Sequence, residues 1–255
     1  MAIVALDTAT PTLSVAIGDE SGRVLGQWTT LAPRMHATQL HPVIDALLSS
    51  LSLDVTDVRG VLVGVGPGSY TGVRLGVTAA KSLAYALHIP VVGVSSMLAA
   101  SFPLCLTEQP VGVLFDARRN EAYVGLYGPT AQGWGPLMAE ARVPYEEAIG
   151  RMAEIALALH SSRLWLVGDG ATIAAAKAQE CETQTEIRVY DDQSQVLAPH
   201  IYQAGIKTLR ALLTAPEEDA YEQRAHALVP RYLQLAEAET RWRERQQEGG
   251  ASGSE

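Results

Sequence analysis

Cysteine, basic clusters and long apolar runs are what this 255-residue chain has least of. Its two cysteines, Cys105 and Cys181, stand far apart and form no CxxC pair, so neither a zinc ribbon nor a dithiol redox motif fits. They are expected as two buried free thiols in a reducing compartment. No apolar run approaches the length that spans a bilayer, so no membrane partner is expected. The first residues, Met1 to Asp7, carry no basic region and enter a strand directly, which points to a cytoplasmic chain without a signal peptide. Lys and Arg number 19 against 28 Asp and Glu, a net charge of −9. No basic stripe is visible, which argues against a chain that grips nucleic acid alone. There is no HExxH, and His36 and His41, five apart beside Pro42, read as surface or capping residues rather than as metal ligands.

What is present is a sizeable potential core, with 47% hydrophobic and 18% charged residues, enough for one or two domains. The organising stretch runs over 60–90. An apolar run at 61–65 reads as a strand buried on both faces, and Gly66-Pro67-Gly68 makes a sharp turn. A long helix follows, with Thr71 the better N-cap than Ser69, and stops before Pro90. Strand, glycine turn and helix start can cradle an anion. Yet no Walker A lysine follows, Thr71 replaces the third glycine of GxGxxG, and Pro67 breaks GxSxG.

Along the chain, 2–6, 13–17 and 23–30 read as a three-stranded meander, followed by a helix at 38–51, the strand and helix just described, and a strand at 91–94. The order then repeats. Strands fall at 111–115, 121–127 and 133–138, a helix at 145–159, a strand at 164–167, a helical stretch, a strand at 187–190 and a helix at 194–213. Asp7 and Asp116 end the first strand of each half, and Gly66-Pro67-Gly68 and Gly168-Asp169-Gly170 close the fourth. The expected fold is therefore α/β, two β-β-β-α-β-α units in tandem. The expected division is an N-terminal lobe over 1–107 completed by a return segment at 194–235, a C-terminal lobe over 108–193, and a charged, disordered tail at 236–255.

On the long helix, Val73, Val77, Ala80, Ala84 and Leu87 form one apolar seam. A second seam runs through Leu75, Ala79, Ser82 and Ala86, with Gly72, Gly76 and Leu83 between the two. One seam suffices to cover a sheet. The second, of small residues, suits close packing on another helix, either the 38–51 helix of the same chain or a partner's.

A duplicated unit of this kind resembles the actin, sugar-kinase and Hsp70 fold, whose hairpin loops cradle nucleotide phosphates between two lobes. More specific pieces narrow the resemblance: LDTAT at 6–10, GVGPGSYTGVRLGVTAAKSLAYAL at 64–87, FDARRNEAYVGLY at 115–127, GDG at 168–170 and PRYL at 230–233. Together they resemble the TsaB (YeaZ) family. That resemblance implies a non-catalytic scaffold for the TsaD transferase, which makes threonylcarbamoyladenosine at position 37 of tRNA. It implies pairing with TsaD, recruitment of the TsaE ATPase, and tRNA contact only through the complex, with a homodimer open. It also implies that Gly72, Leu75, Gly76, Ala79, Ser82, Leu83 and Ala86 lie at the partner interface. No cofactor is expected. A vestigial phosphate site at Asp7, Thr8, Asp116 and Arg118, with weak ATP or ADP binding, is the alternative to aspartates that merely bond the loop amides following them. Arg119 and Arg74 have no assigned role. The rival function is an active ATP-dependent small-molecule kinase or transferase of the same fold.

Overall fold

The computed structural model describes residues 2–31, 35–179, 185–190, 196–214 and 220–233. The apolar run at the N-terminus forms β1 (Ala2–Asp7), buried along its whole length because it sits in the middle of a sheet covered on both faces. β2 (Thr12–Gly18) pairs with it antiparallel, and β3 (Val24–Leu31) forms the outer edge. β4 (Val58–Gly64) lies parallel on the other side of β1, and β5 (Val91–Val94) follows it, giving the order β3-β2-β1-β4-β5. The second half repeats this plan. β6 (Val111–Asp116) pairs antiparallel with β7 (Glu121–Thr130), and β8 (Gly133–Pro144) forms the edge. β9 (Arg163–Val167) and β10 (Glu186–Val189) extend the parallel side, so the order is β10-β9-β6-β7-β8. The two β-β-β-α-β-α units are thus the same topology twice, and the expected α/β class and duplication hold.

Helices cover the sheets. α1 (His36–Ser50) and α2 (Tyr70–Leu87) pack their apolar sides on the outer face of the first sheet, with Leu40, Ile44, Leu47, Val73, Val77 and Ala80 in one cluster with Val4, Leu6 and Val61. Between the two sheets lies a second cluster. It joins Ile3 and Leu62 of the first sheet to Val111, Val113 and Tyr127 of the second, through α3 (Ser96–Ser101) and α6 (Ala198–Leu213). α4 (Tyr145–Ala158) and α5 (Ala171–Ala178) cover the far face of the second sheet. α7 (Ala220–Ala227) turns back onto α2.

Several boundaries differ from the sequence reading. α2 is capped by Ser69, not Thr71: the Ser69 side chain accepts the Gly72 N–H at 3.3 Å, and the helix opens at Tyr70. β8 runs to Pro144, six residues beyond its expected end, because pairing with β7 resumes after a register irregularity at Ala139 and Glu140 and carries on from Ala141 opposite Val124 to Pro144 opposite Glu121. α6 begins at Ala198, after Leu197 in extended conformation, with Pro199 in its first turn. Cys105 is only half-buried rather than buried, while Cys181 and the tail at 236–255 lie outside the described residues.

Candidate functional site

The β1–β2 turn and the start of α2 build one wall of a cleft between the two sheets. At the end of β1, Asp7 is completely buried. Its Oδ1 accepts the Ala9 N–H at 2.8 Å, and its Oδ2 accepts the Ser96 hydroxyl at 2.7 Å. Ser96 Oγ in turn accepts the Gly66 N–H at 3.2 Å. Burial pushes the Asp7 carboxyl up to about 7, against the lowering effect of the Ser96 and Ala9 hydrogen bonds. The fit is close: a Cβ on Gly64 would lie 1.7 Å from Asp7 Oδ2. Thr8, also fully buried, donates its hydroxyl to Gly72 O at 2.7 Å, so the turn is clamped onto the first turn of α2.

The β6–β7 turn builds the opposite wall, and there the aspartate is exposed. Asp116 Oδ1 accepts the Arg118 N–H at 2.9 Å and the Tyr145 hydroxyl at 3.3 Å, and the Asp116 N–H donates to Asp169 Oδ1 at 2.9 Å. Asp169 sits in the Gly168-Asp169-Gly170 turn, and Gly168 is held in the left-handed region, where any Cβ would meet Leu114 O at 1.9 Å. Asp169 keeps one side open to solvent. Even so, water withdrawn by the cleft walls raises its pKa, with the Asp116 charge a smaller contribution in the same direction. Arg118, Arg119 and Asn120 all have positive φ, between 54° and 65°, which stores strain in the tip of this hairpin.

The two walls enclose about 480 Å³, lined by Ala9 to Pro11, Gly68 to Thr71, Phe115 to Arg118, Tyr123 and Asp169. The sequence-derived candidates therefore part company. Asp116 and Arg118 face this space, while Asp7 and Thr8 lie behind it, spent on hydrogen bonds within the chain. Both aspartates accept a hydrogen bond from a loop amide that follows them, one of the two alternatives that the sequence left open. Asp169 and Tyr145 were not foreseen as site residues; the only signal for Asp169 was its place between two glycines. Among the described residues no group of three His, Cys, Asp or Glu is arranged to hold a metal ion, and no helix is long and apolar enough to cross a membrane.

The second candidate surface is α2. Gly72 and Gly76 do not face outward: a Cβ on either would lie within 2.4 Å of Thr8, so these glycines exist to let the β1–β2 turn approach the helix. Ala79 is buried against the first sheet, and Leu83 packs beside it. What α2 leaves open is a strip through Leu75, half-buried, and the exposed Ser82 and Ala86, bordered by Thr71, Thr78 and Arg74. Tyr70 stacks on Tyr232 at 4.9 Å between centroids, and the Arg74 guanidinium lies over the Tyr70 ring and donates to its hydroxyl at 2.6 Å.

Comparison with known proteins agrees with this architecture. The family model described as "TsaD: tRNA N6-adenosine threonylcarbamoyltransferase" matches residues 26–242. The tRNA threonylcarbamoyladenosine biosynthesis protein TsaB of Bacillus subtilis is 31% identical over 246 residues, covering 96% of this chain and all of that protein. TsaB of Escherichia coli is 33% identical over 158 residues, 61% of this chain and 68% of that one. Among solved structures, YeaZ from Pseudomonas aeruginosa superposes with a TM-score of 0.71 at 26% identity, over 91% of this chain and 99% of that one. With this coverage, the chain belongs to the TsaD-type family that the model describes and, within it, to the TsaB (YeaZ) proteins.

Proposed function

We propose that this chain serves tRNA threonylcarbamoyladenosine biosynthesis in the cytoplasm as a non-catalytic subunit. It pairs with a TsaD transferase through the open strip of α2, and the pair recruits the TsaE ATPase for modification of adenosine 37. Transferase catalysis and direct tRNA contact belong to TsaD in this reading. The observation that carries it is the state of Asp7. A nucleotide-using member of this fold would turn the carboxylates of both hairpins toward phosphate or metal. Here the first carboxylate is fully buried, bonded to Ser96 and Ala9, and its pKa is pushed up by burial to about 7. Only Asp116 reaches the cleft, beside Asp169. A surface of small residues around one leucine on α2 is what close helix–helix contact requires.

The reading is tested by incubating the purified chain with threonylcarbamoyl-adenylate and tRNA, with and without TsaD. No modified tRNA is expected from the chain alone, and modification is expected once TsaD is added. Product without TsaD overturns the non-catalytic reading. The interface is tested by Leu75→Arg. Leu75 is half-buried, so folding should lose about 1 kcal/mol. Binding should fall more than a hundredfold, because an unpaired charge buried at an interface costs roughly 3–5 kcal/mol.

A further inference from the structure

α7 and the segment after it form a wall alongside α2. Lys81 of α2 donates to His226 O at 3.1 Å and to Leu228 O at 3.0 Å, so its ammonium caps the C-terminal end of α7. Beyond α7 the chain crosses the C-terminal ends of β4 and β5. Leu228 sits over Gly93, where a Cβ would lie 2.7 Å from the leucine side chain. The Arg231 N–H donates to Val65 O at 2.8 Å, and a Cβ on Gly66 would lie 3.4 Å from Arg231 O. Tyr232 then stacks on Tyr70, which lines the cleft between the sheets. All of these contacts are made with the first half of the chain.

Arg231 also reaches the second half, where its guanidinium lies 3.0 Å from Glu140 Oε2. Glu140 owes its position to a bulge in β8. Val124 pairs with Ala141 and Leu126 with Met138, so Ala139 and Glu140 stand together opposite Gly125. Met138 and Ala141 both pack on the core under α4 and α5, and Glu140 between them turns into the seam between the two sheets. Its side chain is only 6% exposed there. Its Oε1 accepts the Ser95 hydroxyl at 2.5 Å and the Tyr127 hydroxyl at 2.6 Å. Its Oε2 accepts no hydrogen bond among the described residues, and the Arg231 guanidinium is its counter-charge. A carboxylate buried in this way is costly once its counter-charge leaves. We propose that residues 228–232 are a strap that locks the seam between the sheets at its cleft end. Seated, it neutralises Glu140 from one side and steadies Tyr70 in the cleft wall from the other. Released, it withdraws both supports together, so β8 around Glu140 and the 66–70 turn loosen as one unit and the cleft opens. The proposal stands apart from the reading of α2 as a partner surface.

The test is amide hydrogen exchange, read by mass spectrometry on the full chain, in Arg231→Met, Tyr232→Ala and the double variant Arg231→Met/Glu140→Gln. In Arg231→Met, amides of β8 around Glu140 and of the 66–70 turn should exchange about tenfold faster together, while α4 and α5 keep their wild-type rates. Tyr232→Ala removes a half-exposed ring that does not touch Glu140. Through the strap it should still speed exchange in β8 about threefold. The double variant leaves no buried charge to compensate. Its β8 amides should return to within about twofold of wild type, while the strap's own amides stay fast. Faster exchange confined to 228–232 in Arg231→Met would overturn the proposal, because the seam would not depend on the strap. A β8 unmoved by Tyr232→Ala would overturn it too, since the ion pair would then act alone. So would a double variant as loose in β8 as Arg231→Met, whose effect would not run through the Glu140 charge. Should Arg231→Met fail to fold, Tyr232→Ala and the double variant decide the matter by the same readings.

Discussion

Asp7 and Asp116 occupy the same place in the two copies of one topology, the end of the central strand before its hairpin, yet their surroundings are opposite. Asp7 is sealed under Gly64, Ser96 and the clamped Thr8 turn. Asp116 stands open to the cleft, sharing its hairpin with three residues of positive φ and facing Asp169. Duplication places a carboxylate; what packs over it decides whether that carboxylate is structural or available. In the first half, Gly64, Gly72 and Gly76 let the strand end and the helix close over the turn. In the second, Gly168 and Gly170 bring the β9–α5 turn against Leu114 O instead, and the aspartate stays outside.

The most severe way to break this contrast is to deny Asp7 its space. Gly64→Ala places a methyl group where Asp7 Oδ2 now lies, with Ser96 Oγ 2.8 Å away. The carboxylate cannot turn toward water from a fully buried position, so both of its hydrogen bonds are lost as the core shifts. A loss of at least about 4 kcal/mol is expected in a denaturant melt, large enough to leave little folded protein. No comparable clash surrounds Asp116.

The second largest effect is one of pH. Burial raises Asp7 from 3.8 to about 7, so between those values the folded chain holds a proton that the unfolded chain has released. Stability contributed at this site is therefore full below about pH 4 and is lost as pH rises through about 7, by up to roughly 4 kcal/mol. Asp7→Asn removes that slope. The variant should be less stable than wild type at pH 5 and equal or more stable at pH 8, where wild type carries a buried charge. Parallel slopes for the two proteins would show that Asp7 is ionised throughout.

Ser96→Ala sharpens the same contrast at a smaller scale. It strips a donor from Asp7 and an acceptor from the Gly66 N–H, both buried, and should cost about 2 kcal/mol. Its counterpart in the second half is Tyr145→Phe, which removes a 3.3 Å hydrogen bond to an aspartate that water can reach. That change should cost under about 1 kcal/mol. Equal losses in thermal melts would mean that the second turn is as closed as the first.

The duplication was legible because it is written in local signals: apolar runs that end at Asp7 and Asp116, and glycine turns that end the fourth strands. The inward seam of α2 was legible for the same reason, since Val73, Val77, Ala80 and Ala84 repeat at helical spacing. The roles of Gly72 and Gly76 were not, because the atom each makes room for belongs to Thr8, more than sixty residues away in sequence. The burial of Asp7 depends on Ser96 and Gly64, which carry no pattern that links them to it. The wall beside α2 was missed for a related reason. α7 has no apolar periodicity of its own and is held by Lys81, by the Tyr70–Tyr232 stack and by Arg231 on Glu140, all tertiary contacts. Asp169 stood in view as a turn residue, but only the approach of two turns from different strands makes it a neighbour of Asp116.

The smallest expected effect tests the second turn alone. Asp116→Asn keeps an oxygen for the Arg118 N–H and leaves untouched the backbone N–H that Asp116 gives to Asp169. The side chain is exposed, so stability should change by under about 0.5 kcal/mol. What changes is the field at Asp169, whose pKa is raised first by burial and also by the Asp116 charge. Removing that charge should lower the Asp169 pKa without returning it to the ordinary carboxylate value, since the burial remains. A carboxyl-carbon NMR titration of Asp169 in the two proteins reads this directly. In the same spectra the Asp7 titration should not move, because its environment is set within the first sheet. An Asp169 that titrates alike in both would mean that burial alone sets it, and that the two aspartates do not act as a charged pair at the mouth of the cleft. A parallel shift at Asp7 would tie the two walls together electrostatically and undo the distinction between a sealed turn and an open one.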